Sequence, residues 1–248
     1  MKEYNDYSLL NHNTFGMDVR AKRYVEYDSE KELQALIPTL KGDVLHMGGG
    51  SNLLFKGDFE GTVLHSAIKG VEVEEENERE VLVRAGAGVV WDDFVAWAVE
   101  HGYGGVENLS LIPGEVGASA VQNIVAYGVE AKDVIALVEA IELQNGQKHC
   151  FGTAECDYAY RQSIFKKEGK GKYAVTYVTY RLQKEPVLKL EYGNIKAMLA
   201  GKANVTIADV RQAIIDIRNA KLPDPKVQGN AGSFFKNPVV SAETAKVL

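Results

Sequence analysis

Three stretches of this chain gather the residue types that hold phosphates and move protons. The first is Gly48-Gly49-Gly50-Ser51-Asn52. Without Cβ atoms a backbone can approach a diphosphate closely and offer it N–H groups, and Ser51 and Asn52 add side-chain donors. An ordinary turn is the competing reading, and no G-x-G-x-x-G enters a helix, so a doubly wound nucleotide fold is not supported. The second stretch is Ile112-Pro113-Gly114-Glu-Val-Gly117-Ala118-Ser119, followed by Gln122-Asn123 and Ala126-Tyr127-Gly128. Two such loops could clamp one extended cofactor, such as a flavin dinucleotide, between them; the alternative is a Gly/Pro loop that crosses the surface. The third runs from Arg218-Asn-Ala-Lys221-Leu-Pro-Asp-Pro225 into Gly229-Asn-Ala-Gly-Ser233-Phe-Phe-Lys-Asn237-Pro238. It concentrates hydroxyl, amide, cationic and aromatic groups as a polar ligand site requires, against the bland reading of a turn between packed elements. Arg161 is a fourth candidate, because its planar guanidinium matches a carboxylate bidentately, although a lone arginine is usually a surface residue.

The elements that must carry these groups are partly legible. Ser29 before Glu-Lys-Glu-Leu predicts an N-capped helix that stops near Pro38, and residues 43–47 predict a strand feeding the triple glycine, with Leu53-Leu54-Phe55 as another strand after it. Strands are expected at 62–68 and 80–85, with the acidic run 72–80 as a solvated turn between them. Residues 91–102 place Phe94, Trp97 and Ala98 at helical spacing and end in glycine. From 102 to 128 the pattern reads as an unusually long, ordered loop. Strands follow at 134–143 and 173–182, then a helix at 207–219 with Val210, Ile214 and Ile217 on one side. Ser241 caps a last helix that runs to Leu248 without a stop signal, so the chain is expected to be cut within an element.

With 248 residues the chain is long enough for one large domain or two smaller ones, and 46% hydrophobic with 25% charged residues is ordinary for a globular protein. A formal charge of −6 supplies no global positive field for nucleic acid or an anionic membrane, so an anionic ligand must be held locally. There is no apolar run of membrane-spanning length and the N-terminus is too polar for a secretory signal; a cytoplasmic location without membrane insertion is expected. Cys150 and Cys156 are expected to be packing residues, and the histidines are too scattered for a metal site.

Taken together, Asn13-Thr-Phe15, Gly49-Gly-Ser-Asn52, Ile112-Pro-Gly-Glu-Val-Gly117, Gln122-Asn-Ile-Val-Ala-Tyr-Gly128, Tyr160-Arg161-Gln-Ser-Ile-Phe165, Lys221-Leu-Pro-Asp-Pro225 and the Gly229 to Pro238 stretch resemble the UDP-N-acetylenolpyruvoylglucosamine reductase family over nearly the whole chain. The resemblance implies an α+β, vanillyl-alcohol-oxidase-like FAD-binding domain of two α/β subdomains, 1–66 and 67–205, and at 206–248 the beginning of a C-terminal substrate-binding domain. It implies FAD held non-covalently by the two glycine loops, reduction by NADPH, and hydride transfer to C3 of the enolpyruvyl group of UDP-N-acetylglucosamine enolpyruvate in peptidoglycan precursor synthesis. Arg161 would stabilise the enolate and Ser233 would protonate its C2, while Tyr192, Arg218, Lys221 and Asn237 would bind the diphosphate and nucleotide. A monomer is expected. The family's C-terminal glutamate has no match here, which leaves two alternatives open: an incomplete reductase, or a UDP-sugar-binding module without redox activity. An FAD oxidase of alcohols or sugars is a further alternative that would lack the last two motifs.

Overall fold

A computed structural model describes residues 1–238 and 240–246. Four strands, β1 (Lys2–Ser8), β2 (Arg20–Tyr27), β3 (Val44–Met47) and β4 (Phe59–Ser66), form a first sheet in the order β1-β2-β4-β3. β1 lies antiparallel to β2, whereas β2, β4 and β3 are parallel, with Met47 opposite His65 at the point where β3 runs out into Gly48. Between β2 and β3, helix α1 (Glu30–Leu36) begins at Ser29, whose side chain accepts from the Glu32 amide, and gives way to a 3-10 turn at Ile37–Thr39 that holds Pro38.

The second sheet is antiparallel throughout. It comprises β5 (Val71–Glu76), β6 (Glu80–Gly86) and, beyond the short pair β7 (Val125–Ala126) and β8 (Val129–Glu130), strands β9 (Ile135–Glu142), β10 (Lys148–Gly152) and β11 (Tyr173–Gln183), in the order β10-β9-β11-β6-β5. Helices α2 (Trp91–Glu100) and α3 (Val116–Gln122) contribute Trp91, Phe94, Val116 and Ala120 to the main core, which they share with Val83, Val178 and Tyr180 of this sheet. Leu33 and Leu36 of α1 form a smaller core with Leu64 of the first sheet and Ile141 and Ala174 of the second, so the two sheets are joined through apolar surface. After β11 come α4 (Ile195–Met198), α5 (Ile207–Lys221) and α6 (Ala242–Ala245); Val210, Ile214 and Ile217 bury the expected side of α5.

Four expectations need correction. Leu53-Leu54-Phe55 is not a strand: Leu53 and Phe55 pack on the first sheet's core from an irregular segment, and Leu54 stays exposed. Most of the acidic run is strand β5, at a sheet edge where Glu74 and Glu76 meet Arg84 and Lys184; the turn is confined to 77–79. Residues 102–128 are not one loop, because small residues let α3 lie close on its neighbours; a Cβ at Gly117 would stand 2.9 Å from that of Ala87. Cys156 is buried, but Cys150 on edge strand β10 is exposed. At the C-terminus Ser241 does cap α6, accepting from the Thr244 amide, while the expected continuation through Val247 and Leu248 lies outside the described residues.

Candidate active site

The two glycine loops meet. Ser51 Oγ donates to the Pro113 carbonyl at 3.0 Å across 62 residues of sequence. A Cβ at Gly49 would sit 3.8 Å from Gly114 Cα, and one at Gly114, whose φ is 123°, would sit 3.1 Å from Ser51 Oγ. At Gly114 the positive φ and the close approach of Ser51 both call for glycine, whereas a Cβ at Gly49 would be in ordinary contact. Gly50, with φ 64°, turns the first loop against the chain at His12-Asn13, where a Cβ would overlap the His12 carbonyl. Asn13 is itself a clip: its amide donates to the Leu9 and Met17 carbonyls and accepts from the Met17 amide.

A line of charge runs beneath the seam. Glu115, in the second loop, accepts from His65 Nε2 at 2.9 Å, and the other nitrogen of that ring contacts Glu26 at 3.3 Å, which in turn pairs with Lys2. Burial opposes a charge on His65, but the hydrogen bonds to Glu115 and Glu26 outweigh it and hold its pKa above the ordinary histidine value. The pair ties β4 of the first sheet to the loop opening α3.

The seam forms one wall of a cavity of about 550 Å³, and Arg161, Arg218 and Ser233 stand on other parts of its lining. Arg161 projects from a tight turn closed by reciprocal bonds between Ala159 and Gln162, and its Nη1 donates to the Ser233 carbonyl at 3.2 Å. Arg218, near the end of α5, is half-buried, its Nε has no partner among the described residues, and burial lowers its pKa although Tyr127 opposes the shift. The Ser233 segment is anchored by the Asn230 amide donating to the Thr14 carbonyl and by Gly229, where a Cβ would overlap the Phe15 carbonyl. Asn13-Thr-Phe15 is thus a bracket between the first glycine loop and the Ser233 stretch.

Among the remaining candidates, Gly48, Asn52, Ile112, Ala118 and Gln122 also line the cavity. Asn123 does not: it is fully buried in a left-handed conformation, and its side chain is spent on Glu130, the Ala159 carbonyl and the Lys132 amide. Nor do Tyr127 and Gly128, for Tyr127 rests on the small core beneath α5 with the exposed Tyr192 at 6.3 Å, edge to face. Lys221 and Asn237 are exposed outside the cavity lining. Sequence proximity does not settle where a side chain sits: Gln122 and Ile124 on either side of Asn123, and Asn219 and Leu222 on either side of Lys221, line the cavity while Asn123 and Lys221 do not.

Residues 21–150 match the family described as FAD binding domain. The chain is 55% identical to UDP-N-acetylenolpyruvoylglucosamine reductase of Bacteroides fragilis over 98% of its own length and 73% of that relative's. It is 47% identical to the enzyme of the same name from Neisseria gonorrhoeae, covering 97% of this chain and 71% of the relative. This chain belongs to the UDP-N-acetylenolpyruvoylglucosamine reductase family. Its fold is similar to that of the reductase from Thermus caldophilus, with a TM-score of 0.70 at 21% identity over 96% of this chain and 74% of the other. A solvent-stable cholesterol oxidase shares the fold alone, at TM-score 0.54 and 13% identity over 74% of this chain and 38% of its own. The architecture is the vanillyl-alcohol-oxidase-like α+β fold, and FAD is its cofactor.

The residues present fit that cofactor. Glycine backbones bare of side chains face one another along the seam, and the cavity volume is in the range of ligand cavities. Sequence reasoning missed four members of this reductase site. His46, on the cavity wall, is kept neutral by burial, its pKa pushed down to about 4, and accepts the Tyr27 hydroxyl proton at 2.6 Å. Asp92 holds the backbone amide of Leu111, a residue at φ 56°, and grips Arg211 of α5 through two bonds of 2.7 and 2.9 Å. Burial opposes the Asp92 charge, but Arg211 and the Leu111 amide prevail and keep its carboxyl below the usual range. His65 and Glu115 complete the group. Glu115 lies inside a recognised motif and His46 two residues before Gly48, so both could have been found; Asp92 and His65 join the group through partners distant in sequence.

Proposed function

We propose that this protein reduces UDP-N-acetylglucosamine enolpyruvate to UDP-N-acetylmuramate with electrons from NADPH, a step in peptidoglycan precursor synthesis. The observation that carries this is the meeting of both glycine loops with Arg161, Arg218 and Ser233 around one cavity. The chemistry that FAD supplies when bound is two-electron hydride carriage from NADPH to C3 of the enolpyruvyl group. Arg161 holds the substrate carboxylate, where its fixed positive charge favours the build-up of negative charge in the enolate. Ser233 Oγ–H supplies the proton to C2. Arg218 takes the diphosphate from the cavity lining, and Lys221, Asn237 and Tyr192, exposed outside it, contribute to holding the diphosphate and nucleotide. A cytoplasmic monomer that serves cell-wall biogenesis, and through it cell shape and division, follows from the same assignment; among the described residues no helix is long and apolar enough to cross a membrane.

The test separates the half-reactions. Ser233→Ala is expected to slow the return of flavin absorbance on adding the enolpyruvyl sugar by roughly 10²- to 10⁴-fold, the usual worth of a general acid, with its loss on adding NADPH nearly unaffected. Equal slowing of both phases would remove Ser233 from the proton-donor role.

A further inference from the structure

Arg161 has φ 53°, a conformation that residues with side chains seldom adopt and that costs on the order of 1 to 3 kcal/mol unless the surroundings impose it. The surroundings are the last residues of α3. Asn123 Nδ2 donates to the Ala159 carbonyl at 2.9 Å on one side of the turn, and Ser163 Oγ donates to the Val121 carbonyl at 2.7 Å on the other. Neither touches Arg161. Lys166 does: its ammonium donates to the Arg161 carbonyl at 3.0 Å and to Gln122 Oε1 at 2.9 Å. One half-buried cation therefore holds the strained residue and a side chain of the cavity wall together.

This lysine is placed at a cost that packing alone does not explain. Among the described residues it has no carboxylate partner, and Arg161 and Lys236 are its charged neighbours; burial, with those two cations, lowers its pKa. A neutral side chain of similar length would fill the space without gathering like charge. What the ammonium adds is a pair of charge-assisted bonds and positive potential behind the guanidinium.

We propose that Lys166 is the positioning residue of the substrate-carboxylate site: it fixes the backbone of Arg161 and couples that residue to Gln122, so that the guanidinium is aimed before substrate arrives. The inference rests on the assignment of Arg161 to the substrate carboxylate, and it goes further by naming what holds Arg161 in place. Lys166 itself is not on the cavity lining.

The experiment reads ligand affinity from the perturbation of flavin absorbance in the oxidised, FAD-bound full chain without NADPH. Two ligands are compared, the enolpyruvyl sugar and UDP-N-acetylglucosamine, which lacks the carboxylate. Lys166→Met is expected to weaken the enolpyruvyl sugar about tenfold, the scale of a lost charge-assisted hydrogen bond, and to leave the carboxylate-free sugar within about twofold. Lys166→Arg should recover most of the loss. In an Arg161→Ala background, Lys166→Met should add nothing, because the group it positions is gone. Lys166→Gln, which keeps a donor but no charge, should weaken the enolpyruvyl sugar in the same direction and serves if the methionine variant does not fold. Equal weakening of both ligands, or a full further loss on top of Arg161→Ala, would overturn the positioning role while leaving the Arg161 assignment intact. If Arg161→Ala does not itself weaken the enolpyruvyl sugar, the carboxylate assignment fails and the role of Lys166 fails with it.

Discussion

Two walls of one cavity are built in different ways. At the glycine seam every contact is internal: Ser51 reaches Pro113, His65 reaches Glu115, and Gly50 presses on His12 so closely that no side chain fits. On another part of the cavity lining, the stretch carrying Ser233 is held at a few points, by Thr14, Phe15 and Arg161, and on either side of them it exposes Val227 at 87% and Phe235 at 86% of their surface. The wall proposed to hold the cofactor thus has its shape from the protein's own packing, whereas the wall proposed to meet the substrate carries Ser233 on a segment with little buried apolar surface to stabilise it. A site that keeps FAD through many turnovers and exchanges a nucleotide sugar at each one needs that asymmetry.

The contrast can be broken at the seam first. Gly50→Ala should cost roughly 3 kcal/mol or more, because strain at positive φ adds to a backbone clash, and thermal melting with FAD release should show it. Asp92→Asn, which leaves Arg211 half-buried with a weaker partner, should cost about 2 kcal/mol in urea unfolding and speed hydrogen exchange in α5. A smaller effect follows from His65. Its pKa is raised in the folded protein, so the stabilisation from its ion pairs is complete below the ordinary histidine value and is lost as pH rises through the raised one. Above that window the Glu115 carboxylate is left uncompensated under the cofactor loops, and nearby His12, its own pKa lowered by burial and by His65, cannot replace the charge. FAD affinity measured by fluorescence titration should therefore weaken severalfold with rising pH, and His65→Gln should flatten the profile; an unchanged profile would remove the pair from cofactor retention. Ser51→Ala should cost about 1 kcal/mol, the worth of one neutral hydrogen bond. On the other wall, Ser233→Ala should leave the melting temperature where it was despite its kinetic effect, since Ser233 is exposed. A stability loss there matching that at Gly50 would erase the distinction.

The legible features were those whose chemistry is local. Ser29 caps α1, and Val210, Ile214 and Ile217 form the buried side of α5, because capping and helical period depend on near neighbours; the glycines of the loops at Gly48 to Asn52 and at Ile112 to Gly117 were legible by residue type, but their meeting is a contact across 62 residues. Misreadings arose where pairing or packing with another element decided. The acidic run passes as a turn until β6 pairs with it, and the segment after Gly102 passes as a loop until α3 finds Ala87 to rest on. Asn123 and Tyr127 belong to motifs that border the site, yet one is consumed by the turn that carries Arg161 and the other by the core under α5.

What the sequence determined by itself was the inventory: two side-chain-free loops, a guanidinium, a hydroxyl and a cationic stretch, each defined by residue type. Only the tertiary structure decided which of them share a cavity, that His65 faces Glu115 and Lys166 faces Arg161, and that one wall is set by packing and the other left open. The reason is physical. Backbone freedom and hydrogen-bonding capacity are properties of single residues, but the field and strain at a site are sums over atoms that only folding brings within a few ångströms.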